Sequence, residues 1–401
     1  MDEKALLDSL RQAATTGSRE LDRICEAAAV ELIASGVEPP FQVHSADFAT
    51  DPFLICADRY WRLRFLELPT VDTAARCAQW LTRSAKPEHH TAIAQKWALG
   101  YAFITRDTVE SAGELTEASG WILQEHRGSA AVAYFATLYH AGKLRANFAF
   151  DDLRLFLDSS LLALASDEHR TDPLFVALEA FAAFGSRTIT SEHARSLVDK
   201  AWTSPARTPQ VMDVCLNAFT ASAPFEGQGD LLRTRATEAV AEVGDNHIFH
   251  FRLATGQRMC RDYAKALDTI DTALRLLPAI GNRGSHQLLQ EQYLRERDRI
   301  QEGRHLAELS AEQQKRWADQ ETSNADLRRT LQGSTVRAIE LVTVFTAAIA
   351  FAVGSLQVTL AGTLPVADRI WMIVTFGIAL LVFAMLIIGG TWWITRGRRK
   401  P

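Results

Sequence analysis

Residues 339–357 read IELVTVFTAAIAFAVGSLQ. The run is apolar enough to cross a bilayer, yet it carries Glu340, Thr343, Thr346, Ser355 and Gln357. Taken from Ile339 to Leu360 it makes a helix of about 33 Å at 1.5 Å per residue, sufficient for a hydrocarbon core of about 30 Å. A second apolar run follows from Ile370 to Ile394, with Trp371 at one end and Trp392 and Trp393 at the other, where interfacial aromatics belong. The connection AGTLPVADR is too short to be a domain. Residues 336–401 are therefore expected to form a two-span transmembrane hairpin with a basic tail.

The flanking charges set the expected orientation. Arg328, Arg329 and Arg337 precede the first span and Arg396, Arg398, Arg399 and Lys400 follow the second, against Arg369 alone in the connection. Cationic residues stay on the cytoplasmic side, so both termini are expected in the cytoplasm, at the inner (cell) membrane. The amino terminus MDEKALLDSLRQAATTGSRE lacks the basic and apolar regions of a secretory signal. Five cysteines, Cys25, Cys56, Cys77, Cys215 and Cys260, are scattered singly with no CxxC pair, as in reduced cytosolic proteins.

Ahead of the hairpin, the 401-residue chain is long enough for two or three domains, and 47% hydrophobic content supplies a large core. Its net charge of −5 argues against a protein that coats nucleic acid. Residues 1–285 are rich in Ala, Leu, Glu and Arg, with apolar positions recurring at three and four; AVAYFATLYHAGKL, LRLFLDSSLLALAS and PLFVALEAFAAFGS are each helix-length. The stretch FQVHSADFATDPFLICA, residues 41–57, is ambiguous and reads as a loop plus a short helix.

Residues 250–278, HFRLATGQRMCRDYAKALDTIDTALRLLP, resemble a tetratricopeptide repeat. Leu253 and Ala254 suit its first helix, and Tyr263, Ala266, Ile270, Ala273, Leu274 and Pro278 fall at the spacing of its second. The family's first-helix aromatic is replaced by Gln257 and its turn glycine by Arg261, so the repeat is degenerate. WALGYAFI, residues 97–104, suggests another first helix, but ESAGELTEASG continues it poorly. A helix pair of this kind buries both faces only when stacked between neighbours. The expected fold is all-α: an α-solenoid over 1–285, a polar helical stalk over 286–335, and the hairpin. The resemblance implies a concave surface for a peptide or other extended ligand.

The stalk is highly charged. Leu306, Ser310, Gln313, Trp317, Gln320, Asn324, Leu327 and Leu331 repeat at three and four, a weakly apolar seam that is poorer than a dimeric coiled coil requires. It reads as a solvated connector held by i,i+4 charge pairs, with a bundle at the cytoplasmic entrance of an oligomer as the sharper alternative.

The sequence contains no GxxxxGK[ST], GxGxxG, HExxH or GxSxG motif, so an enzyme and a cofactor are not expected. His247 and His250, or Glu88 with His89 and His90, are candidate metal ligands by spacing, but neither set brings a convincing third ligand, which favours structural histidines. RDTVES and FEGQGD hold carboxylates without a partner nearby in sequence.

In the first span Glu340, Thr343, Ala347, Ala350, Gly354 and Gln357 follow a 3,4,3,4,3 spacing and share one face. Two readings compete. In one, the small residues form a helix contact and the threonines bond to their own backbone. In the other, several copies line a pore, Thr343 and Gln357 wetting its wall and Glu340 ringing its inner mouth. A single hairpin encloses nothing, so the pore needs a homo-oligomer, for which a tetramer is expected.

A cytosolic helical domain joined by a stalk to a minimal hairpin is similar in layout to membrane channel effectors of bacterial anti-phage systems, the Hailong type among them. That resemblance implies an antiviral ion channel gated by a nucleotide or oligonucleotide ligand. On this reading Arg233, Arg235, Arg252, Arg258 and Arg261 are the candidate phosphate contacts, although surface ion pairing is the commoner use of such residues. The alternative is a membrane-tethered scaffold whose solenoid holds a protein partner at the lipid bilayer.

Overall fold

Proline placed directly after a capping side chain starts helix after helix in this chain. Asp51 accepts from the Phe53 and Leu54 amides ahead of Pro52, Asp172 from Leu174 ahead of Pro173, and Thr208 from Val211 ahead of Pro209. Proline has no amide to leave unsatisfied at the first helical position, and the cap side chain takes one of the orphan donors. In the computed structural model, which describes residues 3–15, 17–125, 129–186, 189–277, 283–360 and 365–397, the chain is all-α, and the described residues include no strand.

The helices are α1 (Glu3–Ala13), α2 (Ser18–Ser35), α3 (Pro52–Glu67), α4 (Val71–Ser84), α5 (Pro87–Ile104), α6 (Ala112–Glu125), α7 (Ala130–Ala146), α8 (Phe150–Ser159) and α9 (Leu161–Ala165). After a 3-10 turn at Asp167–Thr171 come α10 (Pro173–Gly185), α11 (Ser191–Trp202), α12 (Pro209–Ala221), α13 (Gln228–Glu242), α14 (His247–Met259), α15 (Tyr263–Leu276), α16 (Arg283–Leu360) and α17 (Val366–Gly397). The ambiguous 41–57 stretch resolves into an extended segment, in which the Val43 amide donates to Ser84 O at 2.7 Å, followed by the start of α3. Pro278, residues 361–364 and the tail residues Arg398, Arg399 and Lys400 lie outside the described residues.

Two compact units divide the chain, Met1–His305 and Leu306–Pro401. In the first, helices pack on helices one to three places along the chain: α2 on α3, α4 and α5 on α7, α10 on α11 and α12, α13 on α14, α14 on α15. Aromatic rings pack through its first half: Trp61 is tilted against Trp80 at 6.2 Å, and Trp80 stacks with Trp97 at 6.1 Å and Phe65 with Tyr101 at 4.6 Å. Burying rings this size removes much apolar surface from water, and offset stacking adds to that gain. One tie reaches further along the chain. Gln95 of α5, wholly buried, accepts from Thr208 Oγ1 at 2.7 Å and donates to Asp172 at 3.1 Å, so it clasps the starts of α10 and α12.

The segment read as a degenerate repeat forms α14 and α15. Arg261 at its turn has φ +62°, the left-handed conformation that a glycine adopts freely, and the Asp262 amide reaches back to Gln257 O at 2.9 Å. The next layer is the beginning of α16: Tyr293 stacks on Phe251 at 4.6 Å, Ile300 is buried with Ala266, Ile270 and Ala273, and buried Glu296 accepts from Arg258 Nε at 2.7 Å. This packing is why the first unit extends through His305 rather than ending at 285.

In the second unit, residues 308–335 of α16 are exposed at every position and carry pairs along the helix, such as Arg316 with Glu312 at 2.7 Å.

Gly256 marks the closest approach of α13 and α14: a Cβ there meets Arg233 N at 2.7 Å and Arg233 Cα at 2.9 Å. Backbone cannot swing aside as a side chain can, so Gly256→Ala is expected to cost about 1–3 kcal/mol. Gly100→Ala, on an exposed helical site facing open space, is expected to gain up to about 1 kcal/mol. Thermal unfolding of the full chain, followed by tryptophan fluorescence, checks the opposite signs.

Candidate functional site

Four of the five arginines picked out in the sequence are tied to carboxylates. Arg233 reaches Asp230 at 2.7 Å, Arg235 bridges Asp199 at 3.0 Å and Glu238 at 3.2 Å, and Arg258 holds Glu296. Arg252 donates to Asp213 at 3.4 Å and to Thr220 at 3.2 Å. Arg261 is exposed. The structure adds a residue that spacing could not find: Arg145, at the end of α7, lies 3.6 Å from the other oxygen of Asp213. Two guanidinium groups thus share one carboxylate, and Arg145 Nε and Nη1 and Arg252 Nε are buried without a hydrogen bond. Burial pulls the Arg145 pKa down from its ordinary value, with Asp213 opposing and Arg252 reinforcing the fall.

The histidines are taken up by local structure. His250 Nε2 meets Gly244 O at 2.9 Å, His89 Nε2 meets His44 O at 3.0 Å, and His90 Nε2 meets Ala85 O at 2.8 Å. His247 Nδ1 lies 2.7 Å from the Tyr293 hydroxyl, which fastens α14 to the start of α16. Among the described residues no group of three His, Cys, Asp or Glu side chains is placed to hold a metal ion.

The hairpin carries the other candidate. Helices α16 and α17 are both long and apolar enough to cross a membrane. Glu340, Thr343, Ala347 and Gly354 are half-buried on one face of α16, whereas Ala350 and Gln357 are exposed. That face turns to α17. Phe376 of α17 fills the space over Gly354, where a Cβ falls 2.5 Å from its ring, and Phe351 and Phe376 stack at 6.5 Å. Ile373, Gly377, Leu380 and Ala384 are half-buried on α17 at the same three-four spacing. Small residues let two helices approach where lipid offers no hydrophobic drive. Thr343 and Thr346 donate to Ile339 O at 2.8 Å and Val342 O at 2.7 Å within α16, which satisfies both hydroxyls without a partner helix.

No protein-family model, curated protein or solved structure matches this chain.

Two outcomes follow from these contacts. Burial holds the His247 pKa below its ordinary value, Asp213 opposing and His286 adding to the fall. The unfolded histidine takes up a proton from about pH 6.5 downward, before the folded one does. The stability this group contributes is complete above that pH and declines below it. Amide exchange at residues 289–300, corrected for intrinsic rates, should therefore speed up from pH 6.5 to 5, and His247→Phe should flatten the trend. In the hairpin, Gly354→Leu should loosen the pair of helices and Phe376→Ala should compensate, whereas Thr343→Val should change little. Protease accessibility of the connecting turn in nanodiscs reads all three.

Proposed function

We propose that this chain is a membrane-tethered helical-repeat scaffold: the Met1–His305 unit holds a protein partner, and the two apolar helices anchor it in the bilayer with both termini in the cytoplasm. The observation that supports this reading is the filled seam of the hairpin. Gly354 is covered by Phe376, and the hydroxyls of Thr343 and Thr346 close onto their own helix. Much of the small and polar face is thus used within one hairpin, as an anchor needs. A helix of this length is held in a bilayer effectively irreversibly.

A second reading, an oligomeric ion-permeable pore gated by the repeat unit and its ligand, draws support from Gln357. Its side chain is exposed on an otherwise apolar stretch of α16, next to half-buried Ser355, and half-buried Glu340 precedes it on the same helix. Polar groups at membrane depth face water or protein rather than lipid. A nucleotide-type gating ligand would have to draw Arg233, Arg235, Arg252 or Arg258 away from their carboxylates, or use Arg261.

Ion flux from liposomes decides between them. The scaffold reading expects no flux from the full-length protein, or from residues 306–401, at any protein-to-lipid ratio, and expects an unrelated apolar helix to replace the hairpin without loss of partner binding. Flux that disappears in a Glu340→Gln, Gln357→Leu variant overturns it in favour of the pore.

A further inference from the structure

A cleft of roughly 520 Å³ opens in the Met1–His305 unit among α6, α7, α8 and α9, a volume in the range of small-molecule sites. Its walls are mostly apolar, including Leu115, Leu144, Phe156 and Leu161, and Leu155 and Leu161 remain 65% and 49% exposed at its rim. At its floor lie Glu110 and His140. His140 is 3% exposed, its ring packed 4.6 Å from that of Phe156.

The hydrogen bonds fix the chemistry of that floor. Glu110 Oε1 accepts from the Val71 amide at 2.8 Å; Oε2 meets Lys143 Nζ and His140 Nδ1, each at 3.2 Å. Lys143 is wholly buried and gives a further hydrogen bond to Pro69 O at 2.6 Å. Burial pushes the Glu110 carboxyl up, but the His140 hydrogen bond and the Lys143 ammonium outweigh it and hold the pKa below the ordinary carboxylate value. An ionised carboxylate only accepts. His140 Nδ1 therefore carries a hydrogen towards Glu110, and Nε2 is the ring nitrogen left for whatever enters the cleft. Lys143 and Glu110 cancel in charge.

We propose that this cleft binds an amphipathic weak acid of medium-chain carboxylic acid size, its apolar body against the leucines and its acidic head on His140 Nε2. A neutral acid brings its own proton. Once that proton passes to Nε2, the imidazolium lies between the ligand carboxylate and Glu110, with Lys143 as the second cation, and the net charge of the site is unchanged. A cationic amphiphile would add an unbalanced charge, and an alcohol would donate a weaker hydrogen bond. The other charged groups around this floor are Asp152 of α8, which lines the cleft, and Asp72 of α4, which interacts with Arg76 of its own helix, with Glu110 and with Glu117 of α6. The three carboxylates of Asp152, Asp72 and Glu117 outnumber the one arginine, and so favour a ligand that arrives with a proton over a bare anion.

The test is calorimetric titration of the full-length protein in nanodiscs with octanoic acid, octanol and octylamine, empty nanodiscs being subtracted. Octanoic acid is expected to saturate one site per chain. Near pH 7, where the acid is ionised in solution, binding should take up one proton, read from the heats in buffers of different ionisation enthalpy, and affinity should fall by up to about tenfold per pH unit as pH rises. His140→Gln should weaken it at least about tenfold, the order of one charge-assisted hydrogen bond. Leu155→Glu, on the exposed rim where folding is not at stake, should weaken it as well. Octylamine binding as well as the acid, binding without proton uptake, binding indifferent to Leu155→Glu, or only the uptake seen with empty nanodiscs would each overturn the proposal.

Discussion

The docking of the first turns of α16 onto α14 and α15 is the contact that closes the carboxyl-terminal end of the Met1–His305 unit. A stack of helix pairs always leaves its last pair with one face uncovered, and stability falls unless something polar on its outer side covers it. Here Tyr293, Glu296 and Ile300 supply the cover, one by stacking on Phe251, one by pairing with Arg258, one by filling the space beside Ile270. Glu296 is 3% exposed, so its pairing with Arg258 is an obligation as much as a gain. Removing Arg258 leaves the buried carboxylate with Arg299 alone, at 3.6 Å, and costs more than the pair contributes.

The same helix then loses its apolar partners. Beyond residue 308 it is exposed at every position to residue 335, and its side chains pair with one another along the helix rather than across to another element. A helix that is polar all round is stable only through such pairs, or as a spacer between two anchored ends. The change from buried to exposed within a single unbroken helix explains why composition placed the end of the repeat domain near residue 285 while packing places it at His305. Charge content rises before the last buried positions are reached, because Tyr293 and Ile300 are separated by Arg295, Glu296, Arg297, Asp298 and Arg299.

What the sequence made legible is what short-range periodicity encodes. The helical class, the α14–α15 pair and the two apolar helices all follow from three-four spacing within one segment. The polar stripe on α16 was legible as a face, but the partner of that face was not, since spacing within one helix says nothing of what packs on it. Phe376 over Gly354 is a contact between two successive helices, and it emerges only in three dimensions. Glu110 shows the same limit more sharply. In RDTVES it is a carboxylate without company; its partners His140 and Lys143 arrive on α7, one turn apart, and its acceptor oxygen caps the start of α4.

The buried polar groups also indicate where this unit departs from what stability alone would select. Replacing Glu110, His140 and Lys143 with apolar residues of similar volume would remove the desolvation of two ions, a change that is often neutral or favourable to stability. Gln95, by contrast, joins α5 to the caps of α10 and α12 and has a structural reason to be polar. Lys143 answers Glu110, and Glu110 answers the Val71 amide and His140, but His140 has one nitrogen that no other group of the triad requires. A histidine hydrogen-bonded to a buried carboxylate, at the floor of an apolar cleft, is costly to maintain as a packing unit. Its placement is accounted for by a ligand that uses the second nitrogen.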